Sequence, residues 1–333
     1  MYYLLGICLA LGAFYAVNAL ATLGAAAAWR GMAAPARRWS ATTRSRIAFA
    51  LRVLPPANAL VLTGALLVPA YLIYEPRPVK EAVTLKLLIP ALLALFGLAL
   101  ALLHAFAAWR ATRQLAANWL EHAEPISLGR ISPPTYRIPH QFPVIAVVGS
   151  LRPRLFLASC IFDSLDEAEL AAALAHERGH IAARDNLKRL ALRACHDLLV
   201  PLPCGRALDR AWLEASEAAA DEYAAQAGAA VTLDLASALV KIARLAPLGT
   251  RPAMPAGASL INDADSSIAW RIQRLAQLAD AGGNGVRRGA RAVRLAIWAG
   301  LCSALLLVAL AATDPDHLHK IHTGYERVVW ALQ

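Results

Sequence analysis

The stretch His176-Glu177-Arg178-Gly179-His180 sets two imidazoles four residues apart, with a carboxylate beside the first. On a helix, positions i and i+4 lie one turn apart on the same face. Two ring nitrogens held that way can share one Zn²⁺. Glu177 rides on the same turn, where it can act on a water that the metal activates. A catalytic zinc takes three protein ligands and keeps one position open, so a neighbouring element must supply a third donor. Residues 206–227 read as a helix carrying Glu214, Glu217, Asp221 and Glu222. Glu217 and Asp221 share a face, and the alanines at 218–220 leave room for close helix packing. Glu217 is assigned as the third ligand, with Glu214 as the competing one. Asp221 falls where it could accept the second ring N–H of a metal-bound histidine and fix its tautomer.

These residues need a scaffold. Ser164 followed by Glu167 has the form of a capping box, opening a helix over 166–183 that carries the two histidines. Asp185-Asn186 ends that helix or caps the next, over 187–200, and Pro201, Pro203 and Gly205 break the chain before 206. Ahead of the motif, residues 144–148 and 154–157 flank Gly149-Ser150 and predict a β-hairpin. Residues 125–143, rich in proline and polar side chains, read as a linker, and 249–265 as a loop. A short helix over 267–278 follows, then a flexible joint at 282–285.

The rest of the composition points to a bilayer. Hydrophobic residues make up 58% of the chain and charged ones 17%, where a soluble domain is nearer half and a quarter. The net charge of +10 comes largely from arginines that flank apolar runs. Membrane topology therefore explains them, and no direct nucleic-acid partner is expected. The five cysteines form no CxxC pair, which excludes a disulfide framework and a cysteine-ligated zinc site.

Residues 1–110 divide into three spans, at about 2–28, 47–74 and 87–108. The first has no basic n-region and is longer than a signal-peptide core, so it reads as retained. Pro55, Pro56 and Pro69 predict kinks in the second. Residues 111–290 form the domain that holds the motif, 291–313 a fourth span, and 314–333 a short tail. Arg30, Arg37, Arg38, Arg44 and Arg46 lie between the first two spans with no acid among them. That loop is therefore cytoplasmic, both termini are outside, and 111–290 is cytoplasmic. The expected location is the plasma (inner) membrane, with the lipid bilayer as a partner. Arg52 is expected to snorkel to the interface and His104 to be interfacial. His196-Asp197 reads as a helix-surface pair. His317, His319 and His322 read as part of an exposed amphipathic tail helix rather than a metal site.

Residues 142–221, and more weakly to 278, resemble the membrane-bound metallopeptidases of the beta-lactam sensor-transducer type (BlaR/MecR-like). They are more distantly similar to the HtpX and CAAX prenyl protease group. The resemblance rests on Phe142-Pro143, Gly149 and Pro153-Arg154-Leu155, and on residues 165–170 running into His176-Glu177-x-x-His180 with Asp185 following. It rests also on Glu217-x-x-x-Asp221 and on Arg271-Ile272 with Leu275. It implies a mainly α protein: multi-pass transmembrane helices plus a zincin (gluzincin-like) α+β cytoplasmic protease domain with a small β-hairpin. It further implies that Arg271 approaches the reacting carbonyl. Asp265 stands where the prenyl protease group has a histidine. The sensors carry a large external domain, and about 20 residues follow the fourth span here, so direct beta-lactam sensing is not expected.

The combined expectation is a zinc endopeptidase with one Zn²⁺ per chain on His176, His180 and Glu217. Glu177 serves as general base and Arg271 helps stabilise the oxyanion. The substrate is a protein or peptide, and the resemblance implies a cytoplasmic transcriptional repressor. The strand at 144–148 is expected to receive the substrate backbone as an added strand. The competing reading is a non-catalytic membrane scaffold that retains the fold.

Overall fold

The computed structural model describes residues 1–77, 83–127, 133–245, 258–260, 268–280 and 314–332. The predicted fourth span at 291–313, the joint at 282–285 and Asp265 lie outside these residues.

Among the described residues, three helices are long and apolar enough to cross a membrane: Tyr2–Ala36, Ala41–Tyr74 and Leu85–Leu120. Leu20, Leu92, Leu102, Leu103 and Phe106 each expose more than half of their surface. An apolar outer face of that kind suits lipid rather than water. The first helix, α1 (Tyr2–Ala36), continues well past the expected end at 28, so only four residues separate it from the second. The second comprises α2 (Ala41–Leu62), a π-helical turn at Thr63–Leu67 and α3 (Val68–Tyr74). Pro55 and Pro56 lie inside continuous helix. At Pro69 the chain widens instead of breaking: the turn ahead of it closes from the Val68 N–H to the Thr63 carbonyl. A wide turn of this kind accommodates the proline ring, which would otherwise crowd the carbonyl four residues back. The third helix, α4 (Leu85–Leu120), also overruns its expected end at 108. Its last turns bring Leu115, Ala116, Trp119 and Leu120 onto the core of the following domain.

That domain is built on one sheet with strand order β1-β2-β4-β3-β5. The strands are β1 (Glu124–Ile126), β2 (Thr135–Ile138), β3 (Ile145–Val148), β4 (Arg154–Ala158) and β5 (Ala258–Leu260). The predicted hairpin is β3–β4, with Ala146 opposite Phe156. Its turn needs Gly149, which sits at φ +109 and whose added Cβ would lie 2.7 Å from the Arg152 carbonyl oxygen. The expected linker at 125–143 instead contributes β1 and β2, with β2 parallel to β4. A three-residue and a four-residue strand are too short to show a periodic signal; backbone pairing on the edge of the hairpin creates them. The expected loop at 249–265 holds β5, antiparallel to β3 on its other edge. Both edges of β3 are therefore paired, which corrects the expectation that this strand stands free to receive substrate.

Helices α5 (Ser159–Ser164), α6 (Glu167–Ala183), α7 (Asp185–Asp197), α8 (Arg206–Ala225), α9 (Ala229–Leu245) and α10 (Ile268–Asp280) cover the sheet. The core joins Val144, Ile145, Phe156 and Leu157 from the sheet to Ala172 and Ala173 of α6 and Leu239 of α9. The final helix, α11 (Pro315–Leu332), lies apart, against α3.

The domain is locked to the spans by polar contacts that the sequence reading placed at the surface. Arg52 is fully buried, and its Nε donates to Asp209 Oδ1 of α8 at 2.9 Å; it does not snorkel. His104 Nδ1 lies 2.8 Å from Asp197 Oδ2, and Asp197 is buried rather than on a helix surface. Glu222 accepts from the Ala41 N–H at the start of α2, where a carboxylate also complements the helix dipole.

Candidate metal centre

The helix that carries the motif starts one step later than the Ser164 pattern suggested. Asp166 is the N-cap: its side chain accepts from the Glu169 N–H at 2.9 Å, and Glu169 Oε2 accepts from the Asp166 N–H at 3.0 Å. Ser164 turns back to the Cys160 carbonyl within α5. Glu169 also accepts from Ser237 and Lys241, each at 2.6 Å, so the same cap ties α6 to α9. At its other end α6 stops at Arg184, whose left-handed backbone (φ 55) turns the chain directly into α7. That sharp corner sets Asp185 and Asn186 beneath the histidines.

His176, Glu177 and His180 are all buried. The two Nε2 atoms lie 3.2 Å apart. Glu217 of α8 faces both, with Oε2 3.7 Å from His176 and Oε1 3.5 Å from His180. One ligand atom from each of the three falls within 4.8 Å of the others. Glu214, the competing candidate, is exposed and takes no part. Each Nδ1 is held by a carboxylate: His176 by Asp221 Oδ1 at 3.0 Å, His180 by Asp185 Oδ2 at 2.8 Å. With both Nδ1–H groups donating and both rings neutral, as metal ligands must be, the two Nε2 lone pairs point at each other and at the Glu217 carboxylate. Neither oxygen of Glu217 makes a hydrogen bond. Arg271 Nη1 and Arg189 Nη2 lie 3.4 and 3.7 Å from its two oxygens, yet two imidazole nitrogens and a buried carboxylate converging without a hydrogen bond to that carboxylate is an arrangement a divalent cation satisfies. The residues present fit one.

Arg271, carried into the site by α10, meets different partners from those the resemblance implied. It is buried, with Nη2 2.6 Å from Asp221 Oδ1, Nε 3.2 Å from Asp221 Oδ2 and Nη1 3.4 Å from Glu217 Oε2. These contacts steer the two carboxylates. Asp185, expected to end the helix and included after the two histidines in the resemblance but given no role in the site, holds His180 Nδ1; its position five residues after the second histidine is the signal. Asn186, expected only to end α6 or cap α7, does more. Its side-chain amide donates to the Val147 and Gly149 carbonyls at 3.0 and 3.1 Å, pinning the α6–α7 corner to β3.

Helix α8 can approach because Gly179 faces Ala220. A Cβ at 179 would sit 3.0 Å from Ala220 Cα and 3.2 Å from Tyr223 Cβ. Gly179→Val is expected to cost about 1–3 kcal/mol through overpacking and to draw Glu217 away from the histidines. A melting-temperature scan paired with metal analysis checks both parts; a variant retaining full metal content would count against the close-approach argument.

Charge follows geometry. Burial opposes protonation of His180, but the Glu217 charge and the hydrogen bond that His180 donates to Asp185 outweigh it and raise the metal-free pKa to about 9. Burial raises Glu177 to about 7, against the pull of His180. Burial lowers His176, with Asp221 opposing. A metal ligand must give up its proton. Below about pH 9, ion uptake therefore displaces one proton from His180, and apparent affinity should fall roughly tenfold per pH unit as pH drops. Calorimetry in buffers of different ionisation enthalpy checks this; proton-neutral binding at pH 7 would contradict it.

Residues 146–202 match the model of Peptidase family M48. The matched stretch runs from β3 to just beyond α7 and so contains both histidines, Glu177 and Asp185, but not Glu217, Asp221 or Arg271. It supports a metallopeptidase. It does not separate the sensor-transducer type from the prenyl protease group. No curated protein and no solved structure matches the chain.

Proposed function

We propose that this protein is a multi-pass membrane zinc endopeptidase acting on a protein substrate from the cytoplasmic side. One observation carries the reading: His176 and His180 of one helix and Glu217 of another, 37 residues after His180 in sequence, converge on a point beside a buried Glu177 whose oxygens make no hydrogen bond.

When bound, zinc supplies Lewis acidity towards a water and a scissile carbonyl. The chain's own residues do the remainder. Glu177, raised towards neutrality by burial, accepts a proton from the attacking water and passes it to the leaving amine. Asp221 and Asp185 hold the two imidazoles in one tautomer each. Arg271 holds Asp221 and Glu217 in place, a positioning role in preference to direct contact with the oxyanion.

The orientation follows from the arginine-rich turn between α1 and α2. It lies at the end of the spans on which α8 docks, and basic loops favour the cytoplasm. Resemblance to the sensor-transducer type supports regulatory proteolysis, with a cytoplasmic transcriptional repressor as substrate.

The test is metal removal. Purified protein in detergent should cleave a labelled unstructured protein such as casein, lose activity with a chelator and regain it with stoichiometric Zn²⁺. Cleavage that persists in metal-free protein overturns the proposal.

A further inference from the structure

Helix α11 is not the free tail that its amphipathic pattern suggested. Leu318 and His322 are buried against the span bundle, and Tyr74 Oη donates to the Pro315 carbonyl at 2.9 Å. The contact is made at the outer end of α3, where Tyr71 also meets Tyr2 of α1, far along the spans from the metallopeptidase domain. There Glu75 is buried, just past the end of α3. Its Oε2 lies 3.2 Å from His322 Nε2 and accepts from Tyr325 Oη at 2.9 Å. Glu326, one turn beyond His322, brings Oε1 to 3.8 Å from His322 Nδ1. Among the described residues, no lysine or arginine forms an ion pair with Glu75. A buried carboxylate without a fixed cationic partner is costly, and a bound cation is one way such a charge is kept.

We infer that Glu75, His322 and Glu326 form a second metal site, for a divalent cation of the Zn²⁺ class. One ligand atom from each lies within 4.8 Å of the others. As in the first site, two donors stand one turn apart on one helix with a carboxylate from another segment. Here, though, Glu75 lies at Nε2 of His322 and Glu326 nearer Nδ1, so the exposed Glu326 side chain would swing to an ion held between His322 Nε2 and Glu75. One imidazole with two carboxylates favours a borderline metal over Ca²⁺ or Mg²⁺, which prefer all-oxygen shells. Glu326 is exposed and Glu75 and His322 are not, so the ion would enter from the solvent side and leave a position open to water. Its occupancy would fasten the C-terminal helix to the outer end of the second span. The inference does not depend on the chain being a peptidase.

The test counts ions. Full-length protein in detergent micelles is stripped, equilibrated with Zn²⁺, desalted and assayed for zinc per chain. Wild type should hold two, His322→Ala one, Glu217→Ala one and the double variant none. Glu326→Gln, at an exposed position that cannot unfold the protein, should weaken retention of one ion by about tenfold or more. His317→Ala, which removes an exposed imidazole outside the group, should keep two. One ion in wild type that survives His322→Ala and Glu326→Gln but is lost in Glu217→Ala overturns the inference and leaves the first site standing. One ion lost in His322→Ala and kept in Glu217→Ala upholds it and counts against the first. Two ions in wild type that both survive His322→Ala also overturn it.

Discussion

Glu177→Gln is expected to lower peptide cleavage by about 10²–10⁴-fold, the usual contribution of a positioned general base, while zinc content stays at the wild-type level. The two effects separate because Glu177 is not one of the three gathered donors. Glutamine has nearly the same shape, so the packing around this fully buried side chain is kept. What disappears is a carboxylate with no hydrogen-bond partner on either oxygen. Burial alone pushes that carboxyl up to about 7, and a bound cation draws it down again. The acid limb of the pH–rate profile therefore lies at or below about pH 7, with activity falling as the pH drops and the base is protonated. The measurement is turnover of a fluorogenic peptide beside metal analysis of the same sample. Wild-type turnover in the variant would remove Glu177 from the mechanism.

The largest stability effect belongs to Asp221→Ala. Asp221 is fully buried and receives two hydrogen bonds from an Arg271 that is itself buried. Its own pKa is held well below the usual range: burial opposes the charge, and Arg271 followed by His176 overcomes that opposition. Removing one partner of such a pair leaves the other charged and desolvated, at a cost of about 3–5 kcal/mol. The same change frees His176 Nδ1 and should lower zinc affinity about 10–100-fold. Asp221→Asn keeps the volume and one acceptor, so it should fall between the two. Thermal unfolding and competition with a chromophoric chelator read the two losses independently. An unchanged melting temperature in Asp221→Ala would show that Arg271 has another sufficient partner.

Both predictions turn on residues of uneven legibility. The His176–His180 pair is a local fact: four residues on a helix are one turn, and no distant contact is needed to bring the two rings together. The hairpin was equally visible, because alternating and continuous apolar runs on either side of Gly149 leave few other structures open. The Asp166–Glu169 cap lies two residues beyond the Ser164–Glu167 pattern, since Ser164 is as good a capping residue by type and only the backbone decides between them. Strands β1, β2 and β5 left no periodic mark, being held by their neighbours in the sheet. Helix α9 passed unnoticed as well, although it closes the core over α6.

Arg52, His104 and Asp197 show the same limit from another side. Each was read as an interfacial or surface group because an isolated charge near an apolar run is normally found there. Each is instead paired across a helix–helix contact between the spans and the domain that holds the site. His322 belongs with them: its spacing described the face of a helix, and its burial came from the surface that helix meets.

By itself the sequence determined apolar helices long enough to cross a membrane, three of its four expected spans lying among the described residues, a helix with two imidazoles one turn apart and a carboxylate between them, and a following acidic helix. Those properties follow from composition and from spacings shorter than two helical turns. The sequence favoured Glu217 over Glu214 and placed Asp221 near a histidine's second nitrogen; tertiary structure decided which ring each of Asp221 and Asp185 holds, that Arg271 contacts both Asp221 and Glu217, and that β5 pairs with β3. Such pairings depend on how one element is rotated against another. That rotation is set by close contacts such as Gly179 on Ala220, summed over a whole interface, and no short stretch of chain carries it.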